Sequence, residues 1–420
     1  MPSSSISGFY KLSVEERREI LKKVGNLNDE EMSILKNMGG LGETSADHMI
    51  ENVVSVMEVP IGIAVNFLVN GKDYLVPMAI EEPSVVAAAS NAARMARVKG
   101  GFRSVSTEPI MIGQIELTGV PDPFGAKFRI LEKKKELLEM ANTQDPVLVK
   151  FGGGAKDIEV RVIDEKEPMV VVHLLVDVRD AMGANAVNTM AEYLAPHISE
   201  ISGGNVRLRI LSNLATYRMT SSYAVFDKKT IGGDEAVEGI VEAYKFARDD
   251  PYRATTHNKG IMNGIDAVLL ATANDWRAIE AGAHSYAAIN GYTSLSRWEI
   301  NDEGDLTGYL ELPLAVGIVG GATATHPKAK LMRKILGIGS AKEFANVLAS
   351  VGLAQNFGAI RALAMEGIQK GHMELHARNV AVSAGAKGTE IDRVAEMMVK
   401  ERKIRADGAA EMLKLVRGKD

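Results

Sequence analysis

The chain has 420 residues, 46% hydrophobic and 25% charged, with a net charge of −5, which asks for two or three domains of ordinary globular composition. It has no cysteine, so disulfides, thiolate nucleophiles and Cys-ligated zinc are excluded together, and the lack of a long basic run argues against a nucleic-acid partner. No uninterrupted apolar run reaches ~18 residues and Met1-Pro-Ser-Ser-Ser5 lacks the shape of a signal peptide, so a soluble, cytoplasmic protein without membrane association is expected.

Ser13 with Glu16 three residues on reads as a capping box opening a charged amphipathic helix to Val24, and a second short helix fits Asp29–Asn37. Two β-rich runs between Val59 and Met78 flank Asn70-Gly71-Lys72-Asp73, a hairpin turn. The second run leads through Glu81-Glu82-Pro83-Ser84 into a small-residue helix, Val85-Val-Ala-Ala-Ala-Ser-Asn-Ala-Ala93, with Pro83 suited to its first turn. Two acids at a strand-to-helix junction either complement exposed helix N–H groups or hold a carboxyl group in a site. Small-residue helices pack closely, in a tight core or an interface.

From about residue 110 to 213 the rhythm changes. Strand Ile110–Leu117, amphipathic helix Phe124–Ala141, strands Asp157–Ile163 and Pro168–Val178, helix Gly183–Ile201 and strand Val206–Leu211 follow one another. That β-α-β-β-α-β order is ferredoxin-like, and with Gly100-Gly101 and Gly203-Gly204 at its borders the block reads as an inserted domain. Asp180-Ala-Met-Gly-Ala-Asn185 opens the second helix, where backbone N–H groups can receive a phosphate, although glycine at a turn usually serves backbone geometry alone. No G-x-G-x-x-G follows a strand, so a Rossmann domain is not expected.

Helical patterns resume at Glu235–Ala247 and Ile261–Ala283. A hairpin follows, Thr293–Ile300 and Leu306–Leu312 around Asn301-Asp-Glu-Gly304, then a Gly-rich segment, Gly317–Ala322, and helices from Lys328 to Ile368. The last fifty residues read as a helical appendage (Thr389–Arg402, Asp407–Val416) punctuated by Gly371, Gly385, Gly388 and Gly408, a distribution suited to a swinging lid.

The densest chemistry lies in Tyr252-Arg-Ala-Thr-Thr-His-Asn-Lys-Gly-Ile-Met-Asn-Gly-Ile-Asp266, against the start of the helix expected from Ile261. Lys259, Asn263 and Asp266 fall at i, i+4 and i+7 and share a face, which suits a cation placed to meet developing negative charge; an ordinary helix-capping Arg/Asp/Asn network is the plain alternative. Asp266 and Asp275 nearby would keep Lys259 charged, which disfavours a Schiff base. His372 and His376 have the spacing of a zinc pair, but His-Met-Glu-Leu-His is not H-E-x-x-H and a third ligand would have to come from His257, His284 or His326. No metal is expected, and His372 reads instead as a proton donor or acceptor. Glu280 and His284, also i, i+4, read as a helix-surface pair, and no G-x-S-x-G nucleophile is present. One lysine, one or two carboxyl groups, a histidine and a phosphate-friendly domain suit reduction of a carbonyl, where a hydride arrives and an oxyanion must be stabilised and protonated.

Taken in order, Glu51-Asn-Val-Val, Glu82-Pro-Ser, Asp180-Ala-Met-Gly-Ala-Asn, His257-Asn-Lys-Gly-Ile-Met-Asn-Gly, Asn274-Asp-Trp-Arg, Gly320-Gly-Ala-Thr and Gly371-His-Met resemble 3-hydroxy-3-methylglutaryl-coenzyme A reductase. The resemblance is to the soluble bacterial and archaeal class II branch and runs from about Phe9 into the tail. It implies an α+β fold with a large, mostly helical substrate domain (1–108 and 216–370), an inserted ferredoxin-like nucleotide-binding domain (109–215) and a C-terminal helical flap (371–420). The implied reaction is the two-step, four-electron reduction of (S)-3-hydroxy-3-methylglutaryl-CoA to (R)-mevalonate and CoA with two NAD(P)H, or its reverse.

By the same resemblance, Lys259 matches the lysine that stabilises the carbonyl oxyanion, Asp275 the aspartate that orients it, and Glu82 the acid that exchanges a proton with the substrate oxygen. His372 matches the flap histidine that protonates the departing thiolate, and Ser84, Arg253 and Asn263 match residues that hold the acyl group. Asp180, Met182, Gly183, Asn185 and Asn213 match the nicotinamide pocket. Asp145 aligns with an acid at the adenosine ribose, where a carboxylate accepts from a 2′-hydroxyl and repels a 2′-phosphate; NADH is therefore the expected cofactor, with NADPH the alternative. A homodimer with its active site at the subunit interface is implied as well. The pattern departs from the family at Tyr10-Lys11, which blurs the coenzyme A phosphate contact. Arg378 stands where membrane-bound relatives carry a phosphorylatable serine. The competing readings are a histidine-metal hydrolase and a non-catalytic nucleotide or coenzyme A binder.

Overall fold

The computed structural model describes residues 5–36, 41–51, 56–163, 169–365, 377–401 and 403–418. His372 and the whole Gly371-His-Met motif, residues 52–54 of the first motif, Asn37 and the strand start expected at Pro168 lie outside them.

Strands β1 (Ile61–Val69) and β2 (Lys72–Ala79) form the expected hairpin. Asn70 and Gly71 both take positive φ (51° and 79°), as a type I′ turn requires. The remaining strands are β3 (Phe102–Ser106), β4 (Ile110–Thr118), β5 (Gly154–Ile163), β6 (Met169–Asp177), β7 (Asn205–Ser212), β8 (Met219–Phe226), β9 (Ser296–Ile300) and β10 (Leu306–Pro313). Among the described residues, six of these ten strands make one sheet in the order β2-β1-β3-β8-β10-β9, antiparallel except where β1 meets β3. The sequence pattern gave no hint of β3 or β8. Their inward positions carry Ser104, Ser106, Thr220 and Ser222, and these hydroxyls are satisfied by Asn346 and Ser350 of the helix behind them or by one another.

β5-β6-β4-β7 form a second, antiparallel sheet with the ferredoxin-like connectivity expected. The single helix expected over Phe124–Ala141 is two, Pro123–Glu132 and Lys134–Asn142. Lys133 leaves the α region (φ −91°, ψ 9°), which lets Ala126 and Ile130 on one piece and Leu137 and Ala141 on the other stay buried along a twisted sheet. The Ala184–Ser202 helix lies beside them and buries Val187, Met190, Leu194 and Ile198.

The helix expected from Ile261 to Ala283 is also two. Asp250 caps the first, accepting from the backbone of Tyr252 and Arg253, and Pro251 occupies its first turn, so it runs Pro251–Ala271 and carries Lys259 in its middle, not at its start. Ala273 turns left-handed (φ 52°) and Asp275 then caps a new helix, Trp276–Ala288. Behind the first helix lies the 25-residue Ala341–Met365 helix, which is long and apolar enough to cross a membrane by composition but is mostly buried in the core. The two approach closely at glycines. A Cβ on Gly264 would meet the Gln355 side chain at 2.9 Å, and one on Gly352 would meet Ile265 at 2.8 Å.

The outer face of β1 and β2 (Ile63, Val65, Leu75) is covered by the Val14–Val24, Asp29–Lys36 and Pro327–Leu336 helices. Ser13 and Glu16 make the expected capping box. Residues 377–418 keep a small core of their own, with Ala377, Ala381, Val394, Met398, Met412 and Leu413.

Candidate active site

β2 ends at Ala79, and the chain turns through Glu82-Pro83-Ser84 into the Val85–Arg97 helix. Pro83 precedes the cap instead of lying inside the first turn, and Ser84 is the N-cap residue. Ser84 sits in the left-handed region (φ 81°, ψ −22°) and its buried hydroxyl has no hydrogen-bond partner among the described residues. Backbone strain and an unsatisfied hydroxyl at one residue are costs that a ligand could offset.

The Pro251–Ala271 helix brings its polar face to this turn. Lys259 Nζ donates to Glu82 Oε2 at 3.1 Å, and Asn263 Nδ2 donates to the same oxygen at 3.3 Å. Lys259 remains 60% exposed, so its remaining ammonium protons can reach a bound group. Half-buried Arg253 lies toward the start of the same helix without a carboxylate partner among the described residues, and burial holds its guanidinium below its usual range. A partly desolvated, unpaired guanidinium is a receptor for a carboxylate.

Asp275 accepts from Ala278 N at 3.2 Å and pairs with Arg277 at 3.0 Å. Among the described residues its bonds go to these groups and not to Lys259. Its neighbour Asn274 makes the connection toward the Asp180–Gly183 turn, for Asn274 Oδ1 accepts from Gly317 N at 3.0 Å. A Cβ on Gly317 would lie 2.6 Å from Met182 N, so this glycine fills the space between the Asp275 turn and the Asp180–Gly183 turn. Ile318 N donates to Asp180 O, Ala181 bridges Val319, and the Asp180 carboxylate accepts from Ala341 N. Buried Arg218 donates to the carbonyls of Ala181, Met182 and Val316, with burial pushing its guanidinium down to about 10.

Gly183 has φ 98° and is pressed on Val178, and the Ala184–Ser202 helix starts there with Asn185 exposed in its first turn. Exposed Asn213 faces Gly282, whose Cβ would meet the Asn213 carbonyl at 2.6 Å. This close-packed glycine cradle and open helix N-terminus fit a dinucleotide's anionic linkage. Asp145 caps the Pro146–Lys150 helix, accepting from Leu148 N at 2.8 Å. A cavity of about 680 Å³ lined by Glu139, Asn142, Thr143, Pro146, Val149 and Lys150 adjoins it.

The three histidines considered as a third zinc ligand go to different places. His257 is buried against Ser296 and Asn356, and His326 caps the Pro327–Leu336 helix. His284 Nε2 binds Glu280 at 2.8 Å, and its Nδ1 lies 2.6 Å from the Tyr292 hydroxyl. The Glu280–His284 pair is therefore present, but it is no plain surface pair: it is two-thirds buried and reaches the carboxyl group of Asp266. Neither Arg218 nor Gly317 was selected from the sequence. An arginine bound to carbonyls and a glycine acting as a spacer have no local signature.

Residues 13–377 match the hydroxymethylglutaryl-coenzyme A reductase family. Over 416 residues the chain is 60% identical to the 3-hydroxy-3-methylglutaryl-coenzyme A reductase of Archaeoglobus fulgidus, spanning 99% of this chain and 95% of that protein. A probable reductase of the same name from Borreliella burgdorferi is 35% identical over 393 residues, 90% of this chain and 89% of its own. The class II enzyme of Streptococcus pneumoniae, bound to NADPH in open conformations, superposes with a TM-score of 0.82 at 42% identity, covering 97% of this chain and 100% of that one. Family match, near full-length relatives and shared architecture converge: the chain belongs to the hydroxymethylglutaryl-coenzyme A reductase family, in its class II branch, and is an oxidoreductase acting on a coenzyme A thioester.

Proposed function

We propose that the chain reduces (S)-3-hydroxy-3-methylglutaryl-CoA to (R)-mevalonate and CoA in two hydride steps, or runs the reverse, with residues 109–215 binding NAD(P)H and residues 1–108 and 216–370 holding the acyl group. The observation that carries this reading is the convergence of Lys259 and Asn263 on Glu82 beside the orphaned Ser84 hydroxyl. The nicotinamide nucleotide supplies hydride when bound. Lys259 holds the developing oxyanion, and Glu82, in contact with the lysine, gives or takes the proton of the same oxygen. Arg253 receives the free carboxylate, Ser84 and Asn263 fix the acyl chain, and Asp275 orients and tunes Lys259. Asp180, Met182, Gly183, Asn185 and Asn213 hold the nicotinamide half of the nucleotide. One oxygen of Asp145 is engaged as a helix cap, which leaves the other for a ribose 2′-hydroxyl and favours NADH over NADPH. The Streptococcus enzyme's NADPH makes this preference a point to measure. His372 serves as the acid for the departing thiolate from a tail that acts as a flap, and the working unit is a cytosolic homodimer with its sites at the interface.

The test is a cofactor-oxidation assay with hydroxymethylglutaryl-CoA and each of NADH and NADPH, on wild type and Lys259→Ala. A well-placed electrostatic donor is worth roughly 10²–10³ in rate, and the alanine variant is expected to lose that much kcat while folding normally. Activity within a few-fold of wild type would remove Lys259 from the oxyanion role.

A further inference from the structure

Below Asn263 on the same helix face sits Asp266, and its carboxyl group is in hydrogen-bonding contact with Glu280 of the Trp276–Ala288 helix. Two ionised carboxylates do not hold such a contact; one proton has to lie between them. The surroundings say where it comes to rest. His284 Nε2 sits 2.8 Å from the Glu280 carboxylate and its Nδ1 lies 2.6 Å from the Tyr292 hydroxyl, so the ring links Glu280 to Tyr292. Glu280 is the charged member, held below its usual range first by the His284 hydrogen bond. Asp266 is the protonated one, raised well above the carboxylate range by burial and then by Glu280, and its second oxygen, Oδ1, is buried with no donor among the described residues. Among the described residues, the titratable groups bearing on the pair are His284 and, behind it, Tyr292.

The pair joins two elements whose relative placement matters. One helix carries Lys259 and Asn263; the other begins at its cap, Asp275, and the chain passes between them through the short turn at Thr272–Asn274. We propose that Asp266 is a positioning residue for the reductase reaction, clamping the Lys259 helix to the Asp275 helix through a proton held between its carboxyl group and Glu280. The proposal rests on the roles given above to Lys259 and Asp275. When the proton leaves, the two carboxylates repel and the clamp opens. A displacement of about 1 Å can cost on the order of 10²-fold in rate.

The experiment compares kcat and KM against pH for wild type, Asp266→Asn and Asp266→Ala, with Lys259→Ala in parallel. The asparagine amide donates to Glu280 without titrating, so Asp266→Asn is expected to stay within a few-fold of wild type at neutral pH and to lose the wild-type fall in kcat on the alkaline side. Asp266→Ala is expected to lose about 10- to 100-fold in kcat with little change in KM for either substrate. Infrared spectra should show the carbonyl stretch of a buried protonated carboxylic acid in wild type and not in Asp266→Asn; this readout serves even where the alanine variant fails to fold. An alkaline limb unchanged in Asp266→Asn, a wild-type kcat in Asp266→Ala, or no such infrared band in wild type would overturn the clamp. Those results beside an inactive Lys259→Ala sink the clamp alone, whereas an active Lys259→Ala sinks the reading beneath it.

Discussion

Ser84 combines two costs at one residue: a left-handed backbone, worth roughly 1–3 kcal/mol for a non-glycine, and a buried hydroxyl unpaired among the described residues, worth about 1–3 kcal/mol. Ser84→Gly removes both. It is expected to hold or raise the melting temperature while raising KM for the acyl-CoA about tenfold, the scale of one lost hydrogen bond to a charged group. Calorimetry and initial rates check this; a lower melting temperature with unchanged KM would take Ser84 out of the site. His257 makes a different prediction. Burial first, then the charge of Arg253, lowers its pKa from 6.5 to about 3, so between those values the unfolded chain binds a proton that the folded one refuses. Its contribution to stability is intact above about 6.5 and is lost as pH falls toward about 3. Melting temperature should therefore drop on acidification across that window, and His257→Gln should drop less; equal slopes would exonerate the histidine. At this scale the sequence was most legible where polar residues interrupt an apolar helix at helical spacing, as with Lys259 and Asn263. Arg218 was invisible because its partners are carbonyls, which every residue has.

The elements that read correctly are those in which local chemistry decides. Asn70-Gly71 fits only a turn of positive φ, and Ser13 with Glu16 satisfies its own helix end. Those that did not read, β3 and β8, bury hydroxyls against a helix more than a hundred residues away in sequence, which hides the alternation on which strand reading depends. The split of the long helix at Thr272–Asn274 was missed because the apolar spacing continues through it, while Ala273 turns left-handed without a glycine to mark it. Close helix contact yields a prediction here. An added methyl on Gly352 would meet Ile265 and Leu310 side chains inside 3.0 Å, and overpacking of this kind costs about 1–3 kcal/mol. Gly352→Ala is expected to lower the midpoint of denaturant unfolding, with kcat falling only if the Lys259 helix shifts. An unchanged midpoint would mean that the side chains around it yield freely.

Across the whole molecule the tail keeps its own core, separate from the one shared by the two sheets. Deletion from Gly371 onward, or His372→Gln, is expected to impair reduction of the thioester far more than reduction of supplied mevaldehyde, which has no thiolate to expel. NADH binding without substrate should be unaffected. Equal losses on both substrates would assign the tail some other task. The seam at Gly317 points the opposite way. There the Asp275 turn and the Asp180–Gly183 turn are spaced by a single residue with no side chain, and Asn274, Asp180, Ala181 and Arg218 fasten that strip on either side. The two banks, to which the proposed function gives the acyl group and the nucleotide, are thus cut to a shared gauge. Redesign of one bank for a longer acyl group or a different nucleotide has to leave this gauge at glycine thickness, or it will misalign the bank that was never touched.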